Sequence, residues 1–220
     1  MSGPLAGKRV LVTAGGTREP LDAVRYIGNR SSGRMGVALA AEARRRGAIV
    51  TLIASNLAVP PPADVEVVEA TTAADVESEA SARSDADVVL MAAAVSDYRP
   101  AEALAGKRPK DAEPWHVDLV PTADVARALG AARRVGQVLV AFGAESGEDG
   151  LARKRAMLTD KNVDLVVYND VGSDDVGFES QDNEVVLLTH DAERTVAKAP
   201  KTEIARQILD EVERLLEERA

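Results

Sequence analysis

The sequence contains no cysteine. A disulfide scaffold, a cysteine nucleophile and a thiolate metal site are therefore excluded. Histidine is nearly absent: His116 and His190 are the only two and lie far apart, so no multi-histidine metal site can be built. Aromatic residues make up 3% of the chain, too few for the stacking platforms of single-strand nucleic-acid binders. No apolar run reaches the roughly 18 residues of a membrane span, and Met1 to Gly7 has no charged-then-apolar leader pattern. Positive charge is in deficit, with 27 basic against 36 acidic residues and a formal net charge of −9. That balance argues against nucleic-acid and membrane-surface partners while leaving room for a local basic pocket. The expectation is a cytoplasmic protein.

What is present is an ordinary globular composition, 45% apolar and 29% charged over 220 residues, enough for one domain spanning 1–220. Arg9–Ala14 is a β-branched apolar run ending at Gly15-Gly16, the signature of a buried parallel strand. Helical spacing covers Arg34 to Arg46 and stops at Gly47. Further strands are predicted at Ile49–Ala54, Val65–Glu69, Asp87–Ala94, Gln137–Ala144 and Val163–Tyr168, and helices at Ala73–Ala82 and about Gly150–Leu158. Glu184–Thr189 with Thr195–Ala197 reads as a C-terminal β-hairpin. A last helix from Lys201 puts Ile204, Ile208, Val212, Leu215 and Leu216 on one stripe. The alternation predicts an α/β, Rossmann-like, doubly wound and mostly parallel sheet, whose ligands bind beyond the carboxyl ends of the strands. The charged, turn-rich stretch at about 98–118 is expected to form a projecting arm, and Gly172–Asn183 a second flap.

The segment from Gly15 to Gly33 is far longer than the usual βα connection of about 2–6 residues. Through Arg34 it carries Arg18, Arg25, Arg30 and Arg34 against Glu19 and Asp22, a local excess of positive charge in an acidic protein. Ser31-Ser32-Gly33 falls where a helix begins, so its N–H groups favour an anion. Familiar phosphate motifs fail. Gly15-Gly16 is followed by Thr17-Arg18 rather than completing G-x-G-x-x-G, and Arg34-Met35 stands where a P-loop needs Lys-Ser/Thr. A nucleophile elbow fails too, because Ser146 falls one place late in Gly143–Gly147. Small residues Ala93 and Ala94 precede Asp97, the first acid beyond a strand, placed for Mg²⁺ or a ribose. Lys107-Arg108-Pro109-Lys110 clusters cations on the arm. Thr122-Ala123-Asp124 caps a helix that starts at Val125, Phe142 ends a strand, and Lys154 and Lys161 sit in or after a helix.

Three stretches, Thr13–Gly36 (TAGGTREPLDAVRYIGNRSSGRMG), Ala92–Pro100 (AAAVSDYRP) and Tyr168–Leu188 (YNDVGSDDVGFESQDNEVVLL), resemble phosphopantothenate–cysteine ligase. The likeness runs from Gly7 to about Leu216. In many bacteria this family forms the C-terminal half of a bifunctional coenzyme A biosynthesis protein. The resemblance implies joining of 4′-phosphopantothenate to L-cysteine, with CTP and Mg²⁺ activating the carboxylate through an acyl-cytidylate. It implies a homodimer and a fused or associated decarboxylase. Residue by residue it implies that Asn29 holds the acyl-cytidylate with Arg25, one helical turn earlier if that stretch is helical. Asp97 takes the nucleotide and metal, Lys107 approaches the phosphates, Phe142 flanks the base and Lys161 contacts the nucleotide. Gly15, Gly16, Ser31, Ser32, Gly33, Ala93, Ala94, Thr122, Ala123, Asp124, Val125 and Lys154 complete the nucleotide site. The chain departs from the family pattern at K-R-P-K (for K-I-K-K), at Thr122-Ala123-Asp124 (for Asn-Pro-Asp), at Met157 (for the first helix lysine) and at Tyr168 (for Ala). The rival readings are an NAD(P)-type oxidoreductase on the same sheet and a non-catalytic nucleotide-binding module. The first lacks both G-x-G-x-x-G and a Tyr-x-x-x-Lys pair.

Overall fold

The computed structural model describes residues 3–145, 149–170 and 182–219, with nothing of the Asp170 side chain. In chain order the elements are β1 (Arg9–Gly15), β2 (Arg18–Pro20), β3 (Tyr26–Gly28), α1 (Arg34–Arg45), β4 (Ile49–Ser55), β5 (Glu66–Glu69), α2 (Ala73–Ala82), β6 (Val88–Met91) and β7 (Tyr98–Pro100). There follow β8 (Leu119–Pro121), α3 (Val125–Ala131), β9 (Val138–Glu145), α4 (Gly150–Asp160), β10 (Leu165–Asp170), β11 (Asp182–Leu188), β12 (Glu193–Pro200) and α5 (Lys201–Glu217). Ser146, and Gly177-Phe178 of the expected second flap, lie outside the described residues.

Eight strands form the main sheet in the order β12-β11-β10-β9-β6-β1-β4-β5. The six from β5 to β10 run parallel, and β11 and β12 close one edge as an antiparallel hairpin. Strand residues alternate between the two faces, as period-2 geometry requires. Val10, Val12, Leu52, Leu90, Val140 and Val167 pack with α1 and α5 on one side. Leu11, Ile53, Val89, Leu139 and Val166 pack with α2, α3 and α4 on the other. Helix α2 begins at a reciprocal cap: Asp75 N–H donates to Thr72 Oγ1 at 3.2 Å and Thr72 N–H donates to Asp75 Oδ2 at 2.8 Å.

The chain leaves β1 for β4 and β5 on one side, then returns to β6, β9 and β10 on the other. The strand order therefore reverses beside β1, where such sheets open a binding crevice.

Three local expectations change. The Arg25 stretch is not helical: Arg25 closes the turn of a small β2–β3 hairpin, because the Asp22 carboxylate takes the N–H groups of Val24 and Arg25 at 2.8 and 2.7 Å and so fixes a turn. Strand β6 ends at Met91 rather than Ala94. There the Ala92 N–H turns back to the Leu90 carbonyl, and Ala93 N–H donates to Thr13 Oγ1 at 3.0 Å. The arm's ends pair as β7 and β8, with Arg99 opposite Val120, and 101–118 carries no strand between them.

Candidate functional site

The βα connection after β1 folds as hairpin β2–β3 followed by an extended run into α1. Two glycines permit this. Gly15 has φ 93°, and a Cβ there would meet the Ser55 carbonyl oxygen at 1.9 Å. A Cβ on Gly16 would lie 2.6 Å from the Asn29 carbonyl oxygen. Gly15 lets the end of β1 lie against Ser55, Gly16 lets Asn29 approach the sheet, and neither glycine lines the cleft.

Asn29 Nδ2 donates to the Val95 carbonyl at 3.1 Å, which ties the β1 connection to the β6 connection. Beneath it, Thr17 Oγ1 donates to Ser96 Oγ at 3.0 Å and accepts the Ser96 N–H at 2.9 Å. Thr122 Oγ1 donates to the Ser96 carbonyl at 2.6 Å. Three sequence-distant loops are thus held in one network. Helix α1 starts at Gly33 with φ 77° and no side-chain cap. Its first N–H groups and its positive end therefore face the cleft.

The result is a cleft of about 380 Å³ beyond the strand ends. It brings together Asn29, Ser31, Ser32, Gly33, Ala93, Ala94, Asp97, Thr122, Ala123, Asp124, Val125, Phe142, Lys154 and Lys161. Phe142 is divided between the cleft and the core. Lys154 lies along Gly143, where a Cβ would meet its Cδ at 2.5 Å, and its Nζ is 3.3 Å from Glu145. Both helix cations thus reach the cleft although position 157 is methionine. Lys161 pairs with Asp124 at 3.2 Å. Burial pushes the Asp124 carboxyl up, but the Arg127 N–H and Lys161 outweigh it and hold it below its ordinary value. Arg153 and then Lys154 hold Glu145 low.

Arg25 and Lys107 do not line the cleft. Arg25 Nη1 donates to Asp22 Oδ2 at 2.7 Å and to the Arg108 carbonyl at 3.3 Å, and Arg108 N–H donates to Asp22 Oδ2 at 3.2 Å. Leu104 N–H donates to the Leu21 carbonyl at 3.0 Å. The Arg25 and Arg108 guanidinium groups lie 5.4 and 5.1 Å from the Trp115 ring centre. The arm is therefore folded onto the β2–β3 turn around one buried carboxylate. Burial raises the Asp22 pKa, but the three N–H donors and Arg25 outweigh burial and leave it below the ordinary aspartate value.

Sequence reasoning missed Arg34, Asn169, Asn183 and Lys201 as cleft residues. Lys201 was visible only as the first residue of an amphipathic helix. Its burial was the missing signal, and that depends on the partners of α5.

Fold and site together define a Rossmann-like α/β domain with a polar, anion-suited cleft at the switch point of its sheet. The chain matches the DNA/pantothenate metabolism flavoprotein C-terminal domain over residues 5–216 and belongs to that family. It is 45% identical to the coenzyme A biosynthesis bifunctional protein CoaBC of Mycolicibacterium smegmatis, covering 94% of this chain and 53% of that protein. The chain thus spans about half the length of the curated relatives it matches. The crystal structure of the C-terminal domain of a CoaBC protein superposes with a TM-score of 0.84 at 33% identity, covering 99% of this chain and all of that one. A Cab2 variant in complex with phosphopantothenate-cysteine shares the fold, with a TM-score of 0.75 at 18% identity, covering 96% of this chain and 88% of that one. Family membership removes the ground for the oxidoreductase reading. No described helix is long and apolar enough to cross a membrane.

Proposed function

We propose that this chain is the ligase that joins 4′-phosphopantothenate to L-cysteine, using CTP, in the cytoplasm. The observation that carries the reading is a single cleft, in a chain of this family, where Asn29, the open start of α1, Asp97 and two lysines converge. A carboxylate is a poor electrophile. Its oxygen attacks the α-phosphorus of CTP, the bond to the β-phosphate oxygen breaks, and pyrophosphate leaves with the electron pair. The cysteine amine then attacks the acyl carbon, CMP departs with the acyl–oxygen electron pair, and the amine loses a proton.

The chain's residues position and neutralise anions rather than supply a nucleophile. The Asn29 amide, held by the Val95 carbonyl, orients the anhydride in this reading. The N–H groups at the open start of α1 and the side chains of Lys154 and Lys161 face phosphate charge, with Glu145 and Asp124 as the partners a phosphate competes against. Among the described residues no group of three metal-ligating side chains exists. Asp97 is exposed at the cleft, and one carboxylate with substrate phosphates fits magnesium, which keeps waters and few protein ligands. Asp97 would hold that ion, which supplies charge neutralisation on the phosphates.

A homodimer completes this reading. Val24, Tyr26, Tyr98, Leu104 and Leu119 are exposed on the β2–β3 and β7–β8 hairpins and the arm between β7 and β8. Arg25 and Lys107 sit on the same elements, off their own cleft, so a second copy gives them a site to serve. A decarboxylase fused to or associated with this domain accords with the bifunctional name of its relatives. The test is pyrophosphate release with phosphopantothenate and cysteine, comparing CTP with ATP. CTP-dependent release and ligated product are expected, and release with neither nucleotide rejects the reading.

A further inference from the structure

Lys201 is 8% exposed and lines the cleft, at the first position of the 17-residue helix α5. Arg34 lines the same cleft at the first position of α1. The two helices run side by side in the same direction. Arg46 follows Arg34 by about as many residues as Glu213 follows Lys201, and Arg46 Nη1 meets Glu213 Oε2 at 2.6 Å. Two positive helix ends and two cations therefore converge on one end of the cleft. Burial and then the Arg34 charge hold the Lys201 pKa below its ordinary value. An anion reverses the Arg34 part of that penalty.

A second observation points the same way. Asn183, 5% exposed, lines the cleft. It pairs across the hairpin with Ala199, two residues before Lys201. Its Oδ1 has no hydrogen-bond partner among the described residues. A buried orphan acceptor is costly unless something fills it. Beside a phosphate, the natural donors are a ligand hydroxyl or a water on a phosphate-bound cation.

We propose that Lys201 and Arg34 form a phosphate-binding end wall of the cleft, with Asn183 holding the attendant hydroxyl or water. This rests on the ligase reading for its source of phosphate, either the nucleotide tail or the phosphate of phosphopantothenate. The test uses the full chain and titrates inorganic pyrophosphate, CTP, CMP and phosphopantothenate against wild type, Lys201→Gln, Lys201→Arg and Arg34→Gln. Arg34 is exposed, so its replacement leaves the core intact even if Lys201→Gln folds poorly. Loss of a charged hydrogen bond should weaken pyrophosphate binding about 10–100-fold in both Gln variants, with partial recovery in Lys201→Arg. Weakened CTP with unchanged CMP assigns the site to the nucleotide tail, and weakened phosphopantothenate assigns it to the substrate phosphate. Wild-type affinity for every phosphate compound in Arg34→Gln and a folded Lys201 variant overturns the proposal. The ligase reading fails separately, if wild type binds pyrophosphate yet forms no product.

Discussion

Replacing Gly36 by alanine sets two effects of known size against each other. Within a helix the change ordinarily stabilises by about 1 kcal/mol. Here the new Cβ would lie 2.4 Å from Ala14 Cβ, 2.8 Å from the Thr13 carbonyl oxygen and 2.9 Å from Ala14 Cα. Carbon atoms rest at roughly 3.5–4.0 Å, so α1 must retreat from β1 by about 1 Å. None of the three atoms can swing away, because they belong to a buried central strand. Overpacking of this kind costs about 1–3 kcal/mol, which outweighs the propensity gain. The expected net loss is about 1–2 kcal/mol, a fall in Tm of about 2–8 °C. The displaced helix also carries Gly33 and Arg34 away from the cleft, so nucleotide affinity should fall as well. Urea denaturation and a CTP titration read the two effects separately. A Gly36→Ala protein at least as stable as wild type, with unchanged affinity, would show that the close approach of α1 to β1 is not what sets the cleft.

Three further outcomes follow from the geometry. Asp22→Ala should free the arm, shifting the emission of Trp115, the only tryptophan, to the red and speeding proteolysis within 101–118. Because the folded Asp22 pKa lies below its ordinary value, the docking it provides is complete above about pH 4 and is lost as pH falls through the lowered value. Wild type should therefore hold its emission down to about pH 4 and shift below it, and an identical acid transition in Asp22→Ala would refute the assignment. Asn29→Asp removes the donor to the Val95 carbonyl and sets two acceptors together. Pyrophosphate release should persist while ligation slows about 10²-fold, and normal ligation without trapped acyl-cytidylate would contradict the role. Arg46, 9% exposed, meets Glu42, Asp210 and Glu213 at 2.8, 2.8 and 2.6 Å. Arg46→Met should cost about 2–3 kcal/mol by stranding those carboxylates, with CTP affinity unchanged because Arg46 caps the far end of α1.

The sheet was legible because its signals are local. Strands β1, β4, β6, β9 and β10 are continuous apolar runs, the pattern of strands covered on both faces, and α2 announces itself by its Thr72 cap. The hairpins β2–β3 and β7–β8 were not legible. Each strand has three residues, too short for periodicity to show, and the first hairpin is shaped by a carboxylate bonded to N–H groups of its own turn and of the distant arm. Asn29 and Lys161 stood out through the family resemblance, where pattern alone offered ordinary loop and surface residues. Asp97 was already marked by its place as the first acid beyond β6.

Lys201 marks the deeper limit. Read locally it is a lysine at a helix start, where exposed side chains are common and positive charge is disfavoured by the helix dipole. Its placement becomes informative only when α5 is laid beside α1 by their shared apolar core, with Arg46 bridging the two helices across 160 and more positions of sequence. That bridge also resolves the charge paradox of the chain. An acidic protein keeps cations at a cleft by spending its carboxylates elsewhere. Glu42, Asp210 and Glu213 gather at the far ends of the helices, while Asp124 and Glu145 pair with the cleft residues Lys161 and Lys154. At the Arg34 and Lys201 end no acidic residue lines the wall among the described residues. The net charge of −9 and the anion-suited cleft are thus two results of one distribution. Arg34→Glu should weaken pyrophosphate binding more than Arg34→Gln does. Equal weakening by the two would mean that helix N–H groups, rather than side-chain charge, hold the phosphate.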